Sequence, residues 1–312
     1  MKKIITVTLN PAFDLHCRAV SFEARRENYI TPLSRDAGGK GINISRALHS
    51  LGIDSIAFTV LGKDNGEVFE RLLREDGIRY IPFYTEGGIR ENITVHTEGD
   101  SETRISLDNF SLSETVLDKL YCAISSESDS DTVISFSGRV PRGITKEKIT
   151  DFLNGLSSSG AKLVIDSNSF NLCELAKINP YFIKPNKEEI SALLGREVTS
   201  REDALSVARE LVGDKIAQRV MISLGEMGSV YASEKVSATV SVPEISPVST
   251  IGAGDSAVAG YIAATAQGLG EADRLRLSAA YGCAACLTEG TRPPKPCDIW
   301  ALYEKIKVDF KE

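Results

Sequence analysis

The chain has 312 residues, of which 42% are hydrophobic and 25% are charged. This length exceeds what one small core needs, so we expect either two domains or one large α/β domain with an appendage. No low-complexity tract or block of like charge indicates disorder. The net charge of -7 argues against nucleic-acid binding, which requires a dense basic surface. Any anionic ligand must therefore meet cations that are gathered locally.

The beginning of the chain indicates a cytoplasmic protein. Residues 1–7 place two lysines before an apolar run, but the run stops at Asn10-Pro11, which is too short for a secretory signal or a membrane span. No other apolar stretch reaches the roughly 18 residues of a transmembrane helix, so no membrane partner is expected. The six cysteines are scattered, and the C-x-x-C pair Cys283 and Cys286 has no second pair at metal spacing. We expect reduced thiols.

Apolar runs of strand length alternate with segments of helical period along most of the chain. Strands are predicted over residues 4–9, 55–60, 132–136, 161–165, 181–183 and 219–224, and helices over residues 41–50, 67–74, 144–156, 187–194 and 201–212. Strand runs without polar alternation are typical of a parallel sheet that is covered on both faces. The sequence therefore predicts one three-layer α/β/α domain over residues 1–312, with a mostly parallel central sheet.

Two segments interrupt this alternation and predict a small β-sheet lid. Residues 13–36 are polar and irregular, whereas residues 88–108 contain two alternating runs around Glu98-Gly99-Asp100, which is typical of a hairpin. Neither segment has enough apolar residues for a core of its own. We therefore expect a small sheet that projects over the main domain as a lid or a dimer surface.

The strongest chemical motif is Gly252-Ala253-Gly254-Asp255, which precedes a predicted helix over residues 257–267. Glycines let the backbone present successive N–H groups at a helix N-terminus, where the helix dipole favours an anion such as a phosphate. Asp255 is placed to accept the proton of a hydroxyl group that attacks a γ-phosphoryl group, while the amides stabilise the transferred oxygens. Taken alone, an aspartate at a helix start is equally well explained by the dipole.

Two further glycine-rich segments also indicate ligand binding. Residues 37–43 (AGGKGIN) also precede a helix and suit close approach of a polar substrate, although a plain glycine turn is the alternative. Residues 223–228 (SLGEMG) follow a strand, where ligands bind in open α/β sheets, although a hairpin turn also fits. Neither a Walker A pattern nor G-x-G-x-x-G occurs, which disfavours a P-loop or dinucleotide-binding fold.

Five motifs occur in one order along the chain: residues 10–14 (NPAFD), 38–43 (GGKGIN), 184–189 (KPNKEE), 223–225 (SLG) and 252–255 (GAGD). This ordered set resembles the ribokinase-like (PfkB) sugar kinases. Residues 8–11 and 183–186 are similar to the 1-phosphofructokinase and tagatose-6-phosphate kinase branch. The resemblance covers almost the whole chain, and the ordered set is more specific than any single motif.

The resemblance implies a role for individual residues. Sugar hydroxyls would meet Asp14, Gly38, Gly39 and Asn43, and the transferred phosphoryl group would meet Gly252, Ala253 and Gly254, with Asp255 as the base. Ser223, Gly225 and Gly228 would line the nucleotide, ATP. Asn186 and Glu189 would orient Mg²⁺ through water, with Lys184 nearby. Members of the family often respond to K⁺ near the 252–254 loop.

A phosphate on the sugar would need cations. The resemblance places Arg90 where the branch carries a substrate-binding arginine, and Lys40, Arg104 and Arg139 would add positive charge. A solvated surface charge is the alternative for each arginine. The chain departs from the branch at Ile89, Arg104, Arg139 and Asn168, and we expect these differences to lie near the sugar site or the lid.

These observations predict transfer of the γ-phosphoryl group of ATP to a ketohexose monophosphate, with fructose 1-phosphate as the first candidate. Tagatose 6-phosphate and fructose 6-phosphate are alternatives, followed by another small sugar or a nucleoside. A non-enzymatic alternative is an inactive relative that senses a sugar phosphate. The resemblance and the alternating residues 91–107 also suggest a homodimer through the lid.

Overall fold

The computed structural model describes residues 2–98, 102–107 and 111–311. The strands are β1 (Ile4–Thr8), β2 (Ala12–Ala19), β3 (Thr31–Gly38), β4 (Ile56–Gly62), β5 (Tyr80–Thr85), β6 (Arg90–Thr97), β7 (Glu102–Ser106), β8 (Val133–Ser137), β9 (Lys162–Asp166), β10 (Phe182–Ile183), β11 (Arg219–Ser223), β12 (Ser229–Ser233), β13 (Ser237–Ser241) and β14 (Lys307–Lys311). The helices are α1 (Lys40–His49), α2 (Gly66–Glu75), α3 (Glu114–Glu127), α4 (Lys146–Ser158), α5 (Leu172–Ile178), α6 (Lys187–Leu194), α7 (Arg201–Gly213), α8 (Ala253–Ala266), α9 (Glu271–Ala285) and α10 (Pro296–Tyr303).

A large sheet of 10 strands has the order β14-β13-β12-β11-β10-β9-β8-β1-β4-β5. The strands from β5 to β11 in this order run parallel, and β11, β12, β13 and β14 pair antiparallel. The six strands predicted for the central sheet all lie in this sheet, and every helix predicted between residues 41 and 212 is present. The helix predicted over residues 257–267 begins earlier, at Ala253, because the glycine-rich motif forms its first turn.

Helices cover both faces of the large sheet. Ile4 belongs to the apolar cluster that includes the buried sides of α8, α9 and α10. Its neighbour Ile5 belongs to the cluster that includes α2, α3 and α4. Because successive side chains of a strand point to opposite faces, the two clusters lie on the two sides of the sheet. The predicted three-layer α/β/α architecture is therefore confirmed.

A second sheet of four strands has the order β3-β2-β6-β7. The predicted hairpin over residues 91–107 is confirmed, since β6 and β7 pair antiparallel with Ile93 opposite Ile105. Gly99, Asp100 and residue 108 of the predicted segment lie outside the described residues. The interpretation of residues 13–36 as irregular is wrong at both ends, which form β2 and β3. Polar residues of β2 such as Asp14 and His16 line a cavity and do not mark a loop.

Close packing of α8 against α9 holds the N-terminus of α8 near the carboxyl ends of the parallel strands of the large sheet. A Cβ atom on Gly260 would lie 2.4 Å from the carbonyl oxygen of Leu277 and 2.9 Å from Cδ2 of Tyr281. A glycine is therefore required where the two backbones meet. Although α8 is strongly apolar, no helix in the described ranges combines the length and apolar character needed to span a membrane.

We expect Gly260→Ala to lower the free energy of unfolding by about 1–3 kcal/mol, because the added methyl group overpacks the α8–α9 contact. Urea unfolding followed by circular dichroism measures this loss. Gly213→Ala is the matched control, since a Cβ atom at this last residue of α7 meets nothing within 4 Å. Its stability should stay unchanged or rise by less than about 1 kcal/mol. Equal stability of the two variants would contradict the proposed close contact.

Candidate active site

A cavity of about 380 Å³ lies between the small sheet and the carboxyl ends of the parallel strands. Asn10 follows β1, Gly138 and Arg139 follow β8, and Ser167 follows β9. In open parallel sheets, the loops that follow the carboxyl ends of the strands form the ligand-binding crevice. The wall of the small sheet contributes Asp14, His16, Arg90, Asn92, Ile93, Thr94, Arg104 and Ser106, and the remaining lining residues are Gly39, Lys40, Asn43, Asn168, Glu189, Ile251, Gly252, Asp255 and Thr291.

Asp255 lies in the first turn of α8 and is 7% exposed. The helix begins after Gly252, whose φ of 75° is left-handed and favours glycine. The N–H group of Ala253 donates to the carbonyl oxygen of Thr250 at 3.4 Å, whereas those of Gly254 and Asp255 have no acceptor within the helix. These two N–H groups and the helix dipole favour an anion in front of α8. The structure therefore combines an aspartate with an anion-binding helix end on one wall of the cavity.

The environment of Asp255 raises its pKa. Burial, together with the nearby Asp166 carboxylate, raises the pKa of Asp255 to about 6, although Lys40 and Lys184 act in the opposite direction. The Nδ2 group of Asn43 donates a hydrogen bond to Oδ2 of Asp255 at 2.8 Å. A carboxylate with such a pKa is ionised at pH 7 and still basic enough for proton transfer.

A partly buried ion cluster lies beside Asp255, in which Asp166 and Lys184 are buried and Lys40 and Glu189 are partly exposed. The Nζ atom of Lys40 is 3.0 Å from Oδ2 of Asp166 and 4.0 Å from Oε1 of Glu189, and Nζ of Lys184 is 4.0 Å from Oδ1 of Asp166. Burial would raise the pKa of Asp166, but the two lysines hold it below its usual value. Burial would also lower the pKa of Lys40, but the carboxylates of Asp166 and Asp255 raise it above its ordinary value. These shifts favour the charged forms of Asp166 and Lys40.

A second cavity of about 600 Å³ adjoins this cluster and lies between α5 and α6. Ser167, Asn168 and Glu189 line both cavities, and Asp166 and Lys184 line the second one. The charged cluster therefore lies where the two spaces meet.

Asn186 and Glu189 form the start of α6. Oδ1 of Asn186 accepts a hydrogen bond from the backbone N–H of Glu189 at 2.7 Å, and Oε2 of Glu189 accepts one from the backbone N–H of Asn186 at 3.0 Å. This reciprocal capping box satisfies two helix-end donors. It also holds Oε1 of Glu189 toward Lys40, so Asn186 acts on this region by orienting Glu189.

The donor set suits a metal ion that is held jointly with a phosphate. In the parts of the chain that the structure describes, no group of three or more His, Cys, Asp or Glu side chains could hold a metal by itself. Asp166 and Glu189 nevertheless place carboxylate oxygens 3.0 and 4.0 Å from Nζ of Lys40. Mg²⁺ takes one or two carboxylates and completes its shell with water and phosphate oxygens, so these residues fit it.

The opposite wall of the cavity is built around Asp14. The Nδ2 group of Asn92 donates a hydrogen bond to Oδ1 of Asp14 at 2.9 Å. Burial raises the pKa of Asp14, while this bond and the nearby Arg46 and Arg90 limit the rise. A Cβ atom on Gly38 would lie 2.1 Å from Oδ2 of Asp14, so only glycine leaves room for this carboxylate. Asp14 can therefore accept hydrogen bonds from hydroxyl groups in the cavity.

Three arginines reach the cavity from different elements. Nε of Arg90 donates to Oδ1 of Asn10 at 3.1 Å, and Nη1 donates to Oδ1 of Asn92 at 2.6 Å. Arg104 forms an ion pair with Glu102. Arg139 approaches from the loop after β8. Together they give an acidic protein a local cationic region.

Some predicted residues lie away from the two cavities. Ser223, Gly225 and Gly228 belong to the turn between β11 and β12, and none of them is among the residues that line either space. The turn connects an antiparallel pair of strands, as the alternative of a hairpin turn predicts, and the expectation that it lines the nucleotide stays a prediction. Asn186 reaches Ser223 through a backbone bridge. Ala253 and Gly254 complete the first turn of α8, where a Cβ on Gly254 would lie 3.5 Å from Nζ of Lys184.

The four departures from the branch fall into two groups. Arg104, Arg139 and Asn168 line the first cavity, as expected. Ile89 does not, because its side chain is 3% exposed and packs in the main core. Its backbone N–H and carbonyl bond to the side chain of Asn65. Ile89 therefore positions the start of β6 in the small sheet, next to Arg90, and its side chain lies outside the cavity.

Sequence analysis did not single out Asp166 and Asn92 as candidate site residues. Asp166 is the last residue of β9, and a carboxylate directly after a buried strand was a usable signal. Asn92 stands opposite Asp14 on the neighbouring strand, and only knowledge of the β2–β6 pairing identifies it.

Comparisons with known proteins agree with this geometry. A family model described as pfkB family carbohydrate kinase matches residues 7–297. The chain is 31% identical over 314 residues to a 1-phosphofructokinase of Haemophilus influenzae, covering 100% of both chains. It is also 31% identical to the ATP-dependent 6-phosphofructokinase isozyme 2 of Escherichia coli, covering 97% of this chain and 98% of the relative.

A solved structure has the same fold. The crystal structure of phosphofructokinase-2 from Escherichia coli in complex with potassium has a TM-score of 0.90 and 29% sequence identity, covering 98% of this chain and 99% of that chain. The fold is therefore ribokinase-like, and the enzyme is a sugar kinase that transfers a phosphoryl group. The chain belongs to the pfkB family of carbohydrate kinases.

Proposed function

We propose that this enzyme transfers the γ-phosphoryl group of ATP to a hydroxyl group of a ketohexose monophosphate, with fructose 1-phosphate as the first candidate. The observation that carries this proposal is the position of Asp255. It is a buried carboxylate at an anion-binding helix end, and it faces a cavity that Asp14 and three arginines also line. Such a site suits an anionic substrate that also presents hydroxyl groups.

In this mechanism Asp255 acts as the general base. Oδ2 of Asp255 is engaged by Asn43, so Oδ1 accepts the proton of the attacking hydroxyl. The hydroxyl oxygen bonds to the γ-phosphorus while the bond between that phosphorus and the β–γ bridging oxygen breaks, and ADP leaves. The amides of Gly252, Ala253 and Gly254 would stabilise the charge on the transferred oxygens.

The charged cluster would bind the phosphates of ATP. Lys40 and Lys184 would contact phosphate oxygens, and Asn186 and Glu189 would orient Mg²⁺ through water, with Asp166 as a further carboxylate beside them. When bound, Mg²⁺ supplies charge neutralisation for the phosphates. Ser223, Gly225 and Gly228 would lie on the nucleotide side. The Escherichia coli structure is a complex with potassium, and we propose that K⁺ binds near the 252–254 loop of this enzyme.

The remaining residues would bind the sugar phosphate. Asp14, Gly38, Gly39 and Asn43 would meet the hydroxyl groups, and Arg90, Arg104 and Arg139 would meet the phosphate already on the sugar. A planar guanidinium group donates two parallel hydrogen bonds to a phosphate. A neutral sugar or nucleoside has no use for this cationic region, and the complete set of Asp255, Lys40 and Glu189 disfavours an inactive sensor.

A second candidate substrate is fructose 6-phosphate. The similarity to the 6-phosphofructokinase isozyme 2 of Escherichia coli is as high as that to the 1-phosphofructokinase of Haemophilus influenzae. Tagatose 6-phosphate is a third candidate. These substrates differ in the position of the phosphate or in one hydroxyl group, which are the features that Arg104 and Arg139 would contact.

The substrate is identified by a coupled ADP-release assay over fructose 1-phosphate, fructose 6-phosphate, tagatose 6-phosphate, fructose and adenosine. We expect the highest kcat/KM with fructose 1-phosphate and a much lower value with fructose, because the phosphate provides charge-assisted hydrogen bonds. The assay is run with KCl and with NaCl. A preference for fructose or adenosine would overturn the phosphosugar assignment.

The pH dependence of kcat/KM reports the protonation state of the proposed base, Asp255. Because burial raises the pKa of Asp255 to about 6, kcat/KM should fall about tenfold per pH unit below that value, since a protonated carboxyl group accepts no proton. A constant kcat/KM down to about pH 4.5 would contradict the base role. A carboxyl pKa that is raised in the folded state stabilises the fold as the pH falls through 6, so Asp255 itself does not cause unfolding there.

Asp255→Asn is the companion variant for this measurement. It keeps the shape of the side chain and removes its basicity, so kcat should fall by about 10²–10⁴-fold at pH 7 while ATP still binds. Isothermal titration calorimetry with ATP verifies the binding. The variant also excludes a contaminating kinase as the source of activity.

We also propose that the small sheet is the lid over the sugar and that two lids pair in a homodimer. Leu15, Ile93 and Ile105 stand in register across β2, β6 and β7, and Leu33 on β3 is 58% exposed. Such an apolar row on one face of a sheet suits a contact with a second copy.

We expect Leu33→Glu to convert a dimer into a monomer, because it places a charge in the apolar contact. Light scattering coupled to size-exclusion chromatography measures the mass. Val248→Glu is the control, since Val248 is 62% exposed but lies outside the small sheet. A monomeric native enzyme, or a Leu33→Glu variant that stays dimeric, would contradict pairing through the lid.

A further inference from the structure

A chain of polar contacts leads away from the catalytic base into the protein. Nδ2 of Asn43 donates to Oδ2 of Asp255 at 2.8 Å, and Nη1 of Arg46 donates to Oδ1 of Asn43 at 3.1 Å. Nε and Nη2 of Arg46 then donate to Oδ2 of Asp76 at 3.0 and 2.7 Å. Asn43 and Arg46 are three residues apart in α1, so they lie on the same side of the helix.

These partners determine which way the Asn43 amide points. A guanidinium group only donates hydrogen bonds, so the end of Asn43 that faces Arg46 must be the carbonyl oxygen. The amide NH₂ group must then face the carboxylate of Asp255, which accepts. Reversing the amide would place two acceptors against each other at one end and two donors at the other.

Arg46 is itself held firmly. It is 7% exposed, and its Nη2 also donates to the backbone carbonyl of Ala37, in β3, at 2.6 Å. Together with Asp76 and Asn43, this contact fixes the guanidinium plane from three directions. Arg46 is not among the residues that line either cavity. Asn43 is therefore the cavity-lining residue to which Arg46 hydrogen-bonds, while the positive charge of Arg46 also acts on Asp14.

We propose that Arg46 is a positioning residue for the base: it holds the Asn43 amide in the orientation that binds Oδ2 of Asp255 and leaves Oδ1 for the proton of the substrate. This inference rests on the proposed function, because it concerns the hydroxyl deprotonation step. A lysine at position 46 keeps the charge but has no planar fork that can reach the three acceptors together.

Steady-state kinetics of Arg46→Lys, Asn43→Ala and the double variant test this role. We expect Arg46→Lys to lower kcat about 10- to 100-fold, with little change in KM for ATP or the sugar phosphate, because Arg46 touches neither. In the Asn43→Ala background the same substitution should have no further effect on kcat, since the residue through which Arg46 acts is gone. An equal loss of kcat in both backgrounds, or an unchanged kcat in Arg46→Lys, overturns the proposal.

Arg274→Lys separates positioning from stability. Arg274 is also largely buried, with Nη1 3.2 Å from Oε1 of Glu271 and 3.1 Å from the hydroxyl oxygen of Tyr181, and it lines neither cavity. The Arg274→Lys variant should be less stable than the native enzyme. At temperatures below its melting temperature it should keep the native kcat. A loss of kcat equal to that of Arg46→Lys would indicate a general structural effect and overturn the proposal.

An NMR measurement that requires no catalytic turnover tests this inference separately from the proposed function. The side-chain amide protons of Asn43, followed by NMR, should exchange slowly in the native enzyme and faster in Arg46→Lys. If Arg46→Lys does not fold, Asp76→Asn takes its place in this measurement. Unchanged exchange overturns the positioning role. Absence of ADP release by the native enzyme with every sugar phosphate would instead refute the proposed function, and the NMR result would still decide the orientation of Asn43.

Discussion

A carboxylate that loses contact with water must be balanced by neighbours, because burial of an isolated charge costs several kcal/mol. Asp255 meets this constraint through a hydrogen bond from Asn43 and through the positive charges of Lys40 and Lys184. The lysines in turn require Asp166, which stands between them and is almost fully buried. Because one carboxylate lies in the first turn of α8, this end of the cavity also needs an amide donor, two lysines and a second carboxylate.

The same placement depends on packing far from the cavity. The body of α8 consists of small and apolar residues, and Gly260 lets it approach α9 closely. This contact keeps α8 against the sheet, so its N-terminus meets the carboxyl ends of the parallel strands. Helix packing and site chemistry are therefore parts of one arrangement, in which an apolar helix carries a polar end.

Much of the large sheet could be predicted from the sequence, because its parallel strands are buried on both faces and appear as unbroken apolar runs. The small sheet was harder, since β2 mixes buried Phe13 and Cys17 with polar side chains that line the cavity. Charged and polar pairs were beyond sequence analysis where their members are distant. Asn43 and Asp255 are separated by 212 positions, and Lys40 and Asp166 by 126.

The antiparallel end of the large sheet has a consequence for how copies of this enzyme meet. Its last strand, β14, places Lys307, Asp309 and Lys311 at alternate positions along the open edge. A strand from another molecule that added to this edge would have to desolvate these charges, which discourages growth of a continuous sheet from copy to copy. The exposed backbone of β14 is thereby protected against fibre-like aggregation.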